Sequence, residues 1–260
     1  MTVPAREGML DDRVALVTGA GRGIGRQIAV GLAARGARVA LLARSEVELA
    51  DAVAEIRTSG GIATAITADV QDAGELRSGV ERVRAELGPP VVLVNNAATV
   101  APLGPTAALD PAAVTLAVAV NVAAPITLSA MLLAGMTAAG WGRIVNISSG
   151  IAAAPASSPG MTVYAASKAA LEAHSLNLAA ELDGTGVTVN VYRPGAVDTA
   201  MQRWIREQPP EQVGAGLHDR FAAMHAEGGL LTPEQSARSL LDLITGTETG
   251  QIWSVTDRPQ

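Results

Sequence analysis

The chain has 260 residues, 48% hydrophobic and 17% charged, which is enough apolar side chain for a sizeable core and excludes a disordered type. Its net charge of -6, with no run of Lys or Arg, argues against a nucleic-acid partner, because phosphate backbones need a basic face. The absence of cysteine excludes disulfides and thiolate metal sites. The opening segment, Met1 to Asp12, lacks the apolar stretch of a signal peptide, so a cytoplasmic location is expected.

Short, consecutively apolar runs recur at Val14–Val17, Val39–Leu42, Ala63–Thr67, Val91–Val94, Ile144–Ile147, Val187–Val191 and Ile252–Val255. Each is too short for a helix and has the continuous pattern of a strand buried on both faces. Amphipathic stretches of helical length, such as Ser45–Thr58 and Ala73–Leu87, lie between them. Strand alternating with helix, joined by right-handed crossovers, predicts an α/β chain. The expected fold is a doubly wound, Rossmann-type parallel seven-stranded sheet with helices on both faces, in a single domain over residues 1–260.

The first strand runs into Thr18-Gly19-Ala20-Gly21-Arg22-Gly23-Ile24-Gly25 and then a helix-like run to Arg35. Glycines there permit a tight turn and bring backbone N–H groups towards a pyrophosphate at a helix N-terminus. The second strand ends in Leu42-Ala43-Arg44-Ser45, with no carboxylate to hold a free ribose 2′-hydroxyl. Arg44, with Arg22 from the turn, suits a 2′-phosphate, so NADP(H) is expected over NAD(H). Asp69-Val70 follows the third strand and Asn95-Asn96-Ala97-Ala98 the fourth.

No charged side chain lies between Asp110 and Arg143. The polar residues within it and its dependence on alanine point to a helix or helix pair buried in a domain or subunit interface, not to a membrane span. Asn121 inside this stretch needs a hydrogen-bonding partner. The fifth strand ends in Ser148-Ser149, at the edge where parallel sheets bind ligands. Tyr164 and Lys168, four residues apart, share one helix face. A nearby ammonium favours the phenolate, so the tyrosine is expected to have a lowered pKa and to exchange a proton with a carbonyl or alcohol. Arg193-Pro194-Gly195-Ala196-Val197-Asp198-Thr199 closes the sixth strand. Residues Pro209–Gly229, rich in Pro, Gly and charge, are expected to form a loop or mobile lid, part of a substrate lid around 200–230.

These motifs in this order resemble the short-chain dehydrogenase/reductase family from about Asp11 to Val255. The resemblance implies that Gly19, Arg22, Gly23, Ile24 and Gly25 hold the dinucleotide. It implies that Asp69 and Val70 contact the adenine, and that Asn95 belongs to the cofactor site. Ser149 would orient the substrate carbonyl, with Ser148 as the fallback. Asn121 would hold a water linked to Lys168, and Lys168 would bond the cofactor ribose. Pro194, Gly195, Val197 and Thr199 would contact the nicotinamide end. A homodimer or homotetramer is implied, and no metal is needed.

The expected cleft walls, Thr99–Pro105 and Gly150–Thr162, carry no charge, and the lid offers Met201, Trp204, Ile205, Phe221 and Met224. An uncharged, hydrophobic ketone or aldehyde and its alcohol are therefore the expected substrates. A 3-oxoacyl-thioester reductase ranks second, because an acidic carrier protein would call for basic residues near the entrance. A non-catalytic NADP-sensing regulator or scaffold ranks last, because such proteins commonly lose the tyrosine or lysine.

Overall fold

The computed structural model describes residues 10–257. In chain order it contains β1 (Val14–Thr18), α1 (Gly23–Ala33), β2 (Arg38–Ala43), α2 (Glu46–Thr58), β3 (Ile62–Thr67), α3 (Ala73–Glu86) and β4 (Pro90–Asn95). There follow α4 (Pro111–Val118), a π-helical turn (Ala119–Ala123), α5 (Ala124–Ala138), β5 (Gly142–Ile147), α6 (Thr162–Glu181) and β6 (Val187–Arg193). The chain finishes with α7 (Ala200–Glu207), α8 (Pro210–Val213), α9 (Ala215–Ala226), α10 (Pro233–Leu243) and β7 (Ile252–Ser254).

All seven strands are parallel, in the order β3-β2-β1-β4-β5-β6-β7. The order reverses between β1 and β4, which opens a crevice at the carboxyl ends of those strands. Alternate residues of each strand feed opposite cores. From β1, Ala15 and Val17 pack under α1, α2 and α10, whereas Val14 and Leu16 pack under α3, α5 and α6. Gly31 lets α10 lie directly on α1, because a Cβ there would collide with Leu241.

The uncharged stretch forms a nearly continuous helix from Pro111 to Ala138, long and apolar enough by composition to cross a membrane. Its inner side, with Leu128, Leu132 and Met136, packs into the core shared by α3, α6 and the sheet. The segment around 209–229, expected as a loop or mobile lid, is mostly helical. Pro210 starts α8, Gly214 at φ 93° turns the chain, and α9 follows. Ile205, Val213, Leu217 and Phe221 are buried against Val100, Ile151, Met161 and Tyr164. The Pro, Gly and charge that suggested a loop sit at the helix ends and outer faces, while a few spaced apolar side chains dock the segment.

Candidate active site

A cleft of about 1030 Å³ runs along the carboxyl ends of the strands, from Arg44 and Asp69 at one end to Met161 and Phe221 at the other. Its floor is the glycine turn. Gly19 and Gly23 have positive φ, 63° and 57°, a conformation that glycine adopts without strain. Thr18 Oγ1 accepts from the backbone N–H groups of Asn96 and Ala97 at 3.0 Å. Asn96 Nδ2 donates to the Thr18 carbonyl at 2.9 Å. The turn is thereby stapled to the end of β4.

The sequence placed Asn95 in the cofactor site, but its side chain is buried and donates to Asn146 Oδ1 at 2.8 Å. Successive residues of a strand point to opposite faces, and Asn96 is the one that reaches the cleft. Gly25 does not line the cleft either. A Cβ there would collide with the Gly19 carbonyl and Asn96, so it permits close packing of α1 on the turn. Gly19, Arg22, Gly23, Ile24, Arg44, Asp69 and Val70 all line the cleft.

Each arginine at this end has a carboxylate neighbour. Arg22 Nη1 lies 3.2 Å from Glu48 Oε1, and Arg44 Nη1 lies 3.9 Å from Asp69 Oδ2. Glu48 also lines the cleft and escaped the sequence reading. Its only signal was its place in the first turn of α2, just after the strand end that carries Arg44.

At the centre, Pro194, Gly195, Val197 and Thr199 line the cleft. Gly195 takes φ 77°, and Thr199 Oγ1 caps α7 by accepting from Gln202 N at 3.4 Å.

At the far end, β5 delivers Ser148 and Ser149, and α6 delivers Tyr164 and Lys168. Ser149 lines the cleft beside Tyr164, near enough for its hydroxyl to favour the phenolate. Ser148 also borders the cleft, but its hydroxyl turns inward and donates to the buried Glu172 Oε1 at 2.7 Å, which leaves Ser149 as the hydroxyl beside the tyrosine. Lys168 is buried, and its Nζ donates to the Ile147 carbonyl at 2.7 Å while lying 5.7 Å from the centre of the Tyr164 ring.

Burial pushes the Tyr164 phenol up to about 12, with Ser149 pulling the other way. This corrects the expectation of a lowered phenol pKa. Desolvation of the buried phenolate outweighs the help from the Ser149 hydroxyl. Burial likewise brings Lys168 down to about 8, opposed by the negative charge of Glu172.

Asn121 sits fully buried in the π-helical turn. Its Oδ1 accepts from Thr99 N at 2.9 Å, and its Nδ2 donates to the Thr99 carbonyl at 2.8 Å and to Ser167 Oγ at 3.0 Å. Both amide hydrogens are committed, so the side chain clamps the loop after β4. Ser167 passes the contact on by donating to the Tyr164 carbonyl at 2.8 Å.

The profile of the short chain dehydrogenase family matches residues 13–210. A short chain dehydrogenase from Pseudocercospora fijiensis is 38% identical over 198 residues, 75% of this chain and 63% of that relative. The 3-oxoacyl-[acyl-carrier-protein] reductase FabG of Pseudomonas aeruginosa is 37% identical over 205 residues, 78% of this chain and 81% of the relative. Among solved structures, a variant of the actinorhodin polyketide ketoreductase with NADPH superposes with a TM-score of 0.84 at 34% identity, over 94% of this chain and 95% of that one. Taken with the sheet order, these matches make the chain a member of the short-chain dehydrogenase/reductase family, an oxidoreductase that acts on CH–OH and C=O groups with a nicotinamide cofactor.

Proposed function

We propose that this protein is an NADP(H)-dependent carbonyl reductase for an uncharged, hydrophobic ketone or aldehyde. The observation that carries the reading is the meeting of Ser149, Tyr164 and Lys168 beside an apolar lid wall, in a cleft whose other end holds Arg22 and Arg44. The cleft fits a dinucleotide. Helices α2, α3 and α4 are each capped by a side chain, from Ser45, Asp72 and Asp110. Helix α1, which opens onto the cleft, has no side-chain cap and no acid in its first turn. Its free N–H groups and positive dipole end suit a pyrophosphate. Arg22 and Arg44 suit a 2′-phosphate, and Pro194, Gly195, Val197 and Thr199 would border the nicotinamide.

When bound, the nicotinamide supplies the hydride to the carbonyl carbon. The chain's own residues handle the oxygen. Ser149 Oγ donates a hydrogen bond to the carbonyl oxygen, and Tyr164 transfers its hydroxyl proton to that oxygen as charge develops. With its pKa near 12 the phenol stays protonated, and therefore able to donate, throughout the neutral range. Lys168, charged below about 8, stabilises the phenolate left behind. Val100, Met161, Met201, Ile205 and Phe221 wall the substrate end and exclude water.

A panel of carbonyls and alcohols with NADPH, NADH and their oxidised forms tests the proposal. Preference for apolar ketones with NADPH supports it, and activity confined to charged sugars or acids overturns it. One observation favours 3-oxoacyl thioesters as a second reading: Arg203 borders the cleft, a cation on the lid beside the substrate end. Turnover of a short acyl thioester above that of simple ketones would put this reading first. The exposed Leu116, Val118, Ile126 and Leu176 on α4, α5 and α6 support a homo-oligomer, which light scattering would measure.

A further inference from the structure

Three segments of the site meet at one carboxylate. Glu172 lies on α6, one helical turn beyond Lys168, and is buried. Its Oε1 accepts from Ser148 Oγ at 2.7 Å and from Arg193 Nε at 2.9 Å. Its Oε2 accepts from Arg193 Nη2 at 2.7 Å, so the arginine grips it with two parallel bonds. Ser148 immediately precedes Ser149, and Arg193 immediately precedes the Pro194-Gly195 turn. A buried carboxylate is costly unless its oxygens are satisfied, and this one is satisfied by the very ends of the two strands that face the cleft.

We propose that Glu172 is a positioning residue of the reductase site: it ties the ends of β5 and β6 to α6 and keeps a negative charge one turn from the Lys168 ammonium. Substrate contact is not part of this role, which acts through Ser149, Lys168 and the turn at Gly195. The proposal rests on the role given to Lys168 above. Among the described residues, the other elements packed on α6 bring few charges. Helix α4, the π-helical turn and the short turns at Gly150–Ala152 and Pro155–Ser157 hold no titratable side chain. Strand β5 brings Arg143 near its opposite end, over Trp141. Strand β6 brings Arg193 and also Tyr192, whose hydroxyl donates to the Ser236 carbonyl. On α6 itself the titratable groups besides Lys168 are Tyr164, Glu172, His174 and Glu181. Glu172 is the one whose charge supports the lysine against burial.

Lys168 is the chain's one lysine, so protein made with isotope-labelled lysine gives a single side-chain signal whose titration by NMR reports this group directly. The wild-type signal should titrate near 8. In Glu172→Gln it should move down by about one unit, and kcat/KM for reduction on the alkaline side should fall about tenfold further than in the wild type. In Arg193→Met, which keeps the carboxylate and removes its cation, the lysine should titrate higher. Opposite shifts from two changes that break the same ion pair are the mark of a charge-positioning role, because loss of a merely structural tie gives no such reversal. An unmoved lysine titration in Glu172→Gln overturns the proposal. If that variant does not fold, Arg193→Met decides, with an upward shift supporting the proposal and no shift overturning it. Lys168→Met separates the two layers. Full activity there overturns the role of the lysine itself, whereas lost activity with an unmoved titration in Glu172→Gln overturns only that of Glu172.

Discussion

The two ends of the cleft are built on different electrostatic principles. At the end bordered by Arg22 and Arg44, the charges are exposed and loosely paired, with Arg44 75% and Arg22 67% exposed. At the Tyr164 end the polar groups are buried, tied by bonds of 2.7 to 2.9 Å among Ser148, Glu172 and Arg193 and by the 2.7 Å bond from Lys168 to Ile147. Exposed pairs are screened by water and salt and can trade partners at little cost. Buried pairs hold one geometry, and removing a member leaves an uncompensated charge or orphaned donor. The first design suits selection among mobile, charged ligands. The second suits proton transfer, where a small misplacement is expensive.

The largest effects should therefore lie at the buried end. Tyr164→Phe keeps the ring in its place among Ile151, Met161 and Ile205 but removes the proton donor. Reduction should fall by about 10³-fold in kcat, the scale of a positioned general acid, with cofactor affinity little changed. A fall of less than about tenfold would show that the proton comes from elsewhere. Ser149→Ala should cost about 10²-fold in kcat by removing a donor to the developing oxyanion. Ser148→Ala should cost clearly less, because Arg193 still holds Glu172 through two bonds. Equal losses in the two serine variants would contradict the inward turn of the Ser148 hydroxyl.

The contrast between the ends also decides what could be read without coordinates. The sheet was legible because each strand is apolar on consecutive positions and each of the first crossovers carries a helical pattern, and the strands expected from β1 to β7 all form. Tyr164, Lys168 and the glycine turn were legible because their chemistry shows in short local spacing. Asn95 and Asn96 were not separable, since two adjacent asparagines look alike until the strand's alternation is anchored by Asn146 across the sheet. Glu172 joins residues 21 and 24 positions away, and no local pattern announces such a partner. The raised phenol pKa was missed for a similar reason. Spacing places the ammonium near the ring, but only packing shows that desolvation dominates.

A pH profile probes the buried end as a unit. Lys168 has its pKa lowered to about 8, so its ammonium is present below that pH and lost above it. Tyr164 keeps its proton to about 12, so a decline beginning near 8 belongs to the lysine. For reduction, kcat/KM should be level below the lysine pKa and then fall about tenfold per pH unit. Lys168→Arg keeps a permanent charge and should abolish that limb whatever its absolute rate.

Effects at the exposed end should be smaller and should fade with salt. Replacing Arg22 and Arg44 by Met together should raise the KM for NADPH by about tenfold at low ionic strength while barely changing that for NADH. Equal effects on both cofactors would remove the 2′-phosphate from the explanation.

Glu48→Gln gives the smallest change and the clearest contrast with Glu172→Gln, since both neutralise a carboxylate that holds an arginine. Glu48 Oε1 sits 3.2 Å from Arg22 with 37% of its side chain exposed, and it borders the cleft where a 2′-phosphate would compete for the same guanidinium. An exposed pair contributes at most about 1 kcal/mol, so freeing Arg22 should tighten NADPH by no more than about fivefold, leave NADH unchanged and disappear at high salt. At Glu172 the same chemical change should instead shift a titration, lower kcat and resist salt, because the surrounding protein screens nothing there. The sign reverses as well: losing the exposed carboxylate helps the arginine meet its ligand, while losing the buried one leaves an arginine without its partner. If Glu48→Gln weakened NADPH binding, Arg22 would need its carboxylate for orientation, and the exposed end would share the buried end's design.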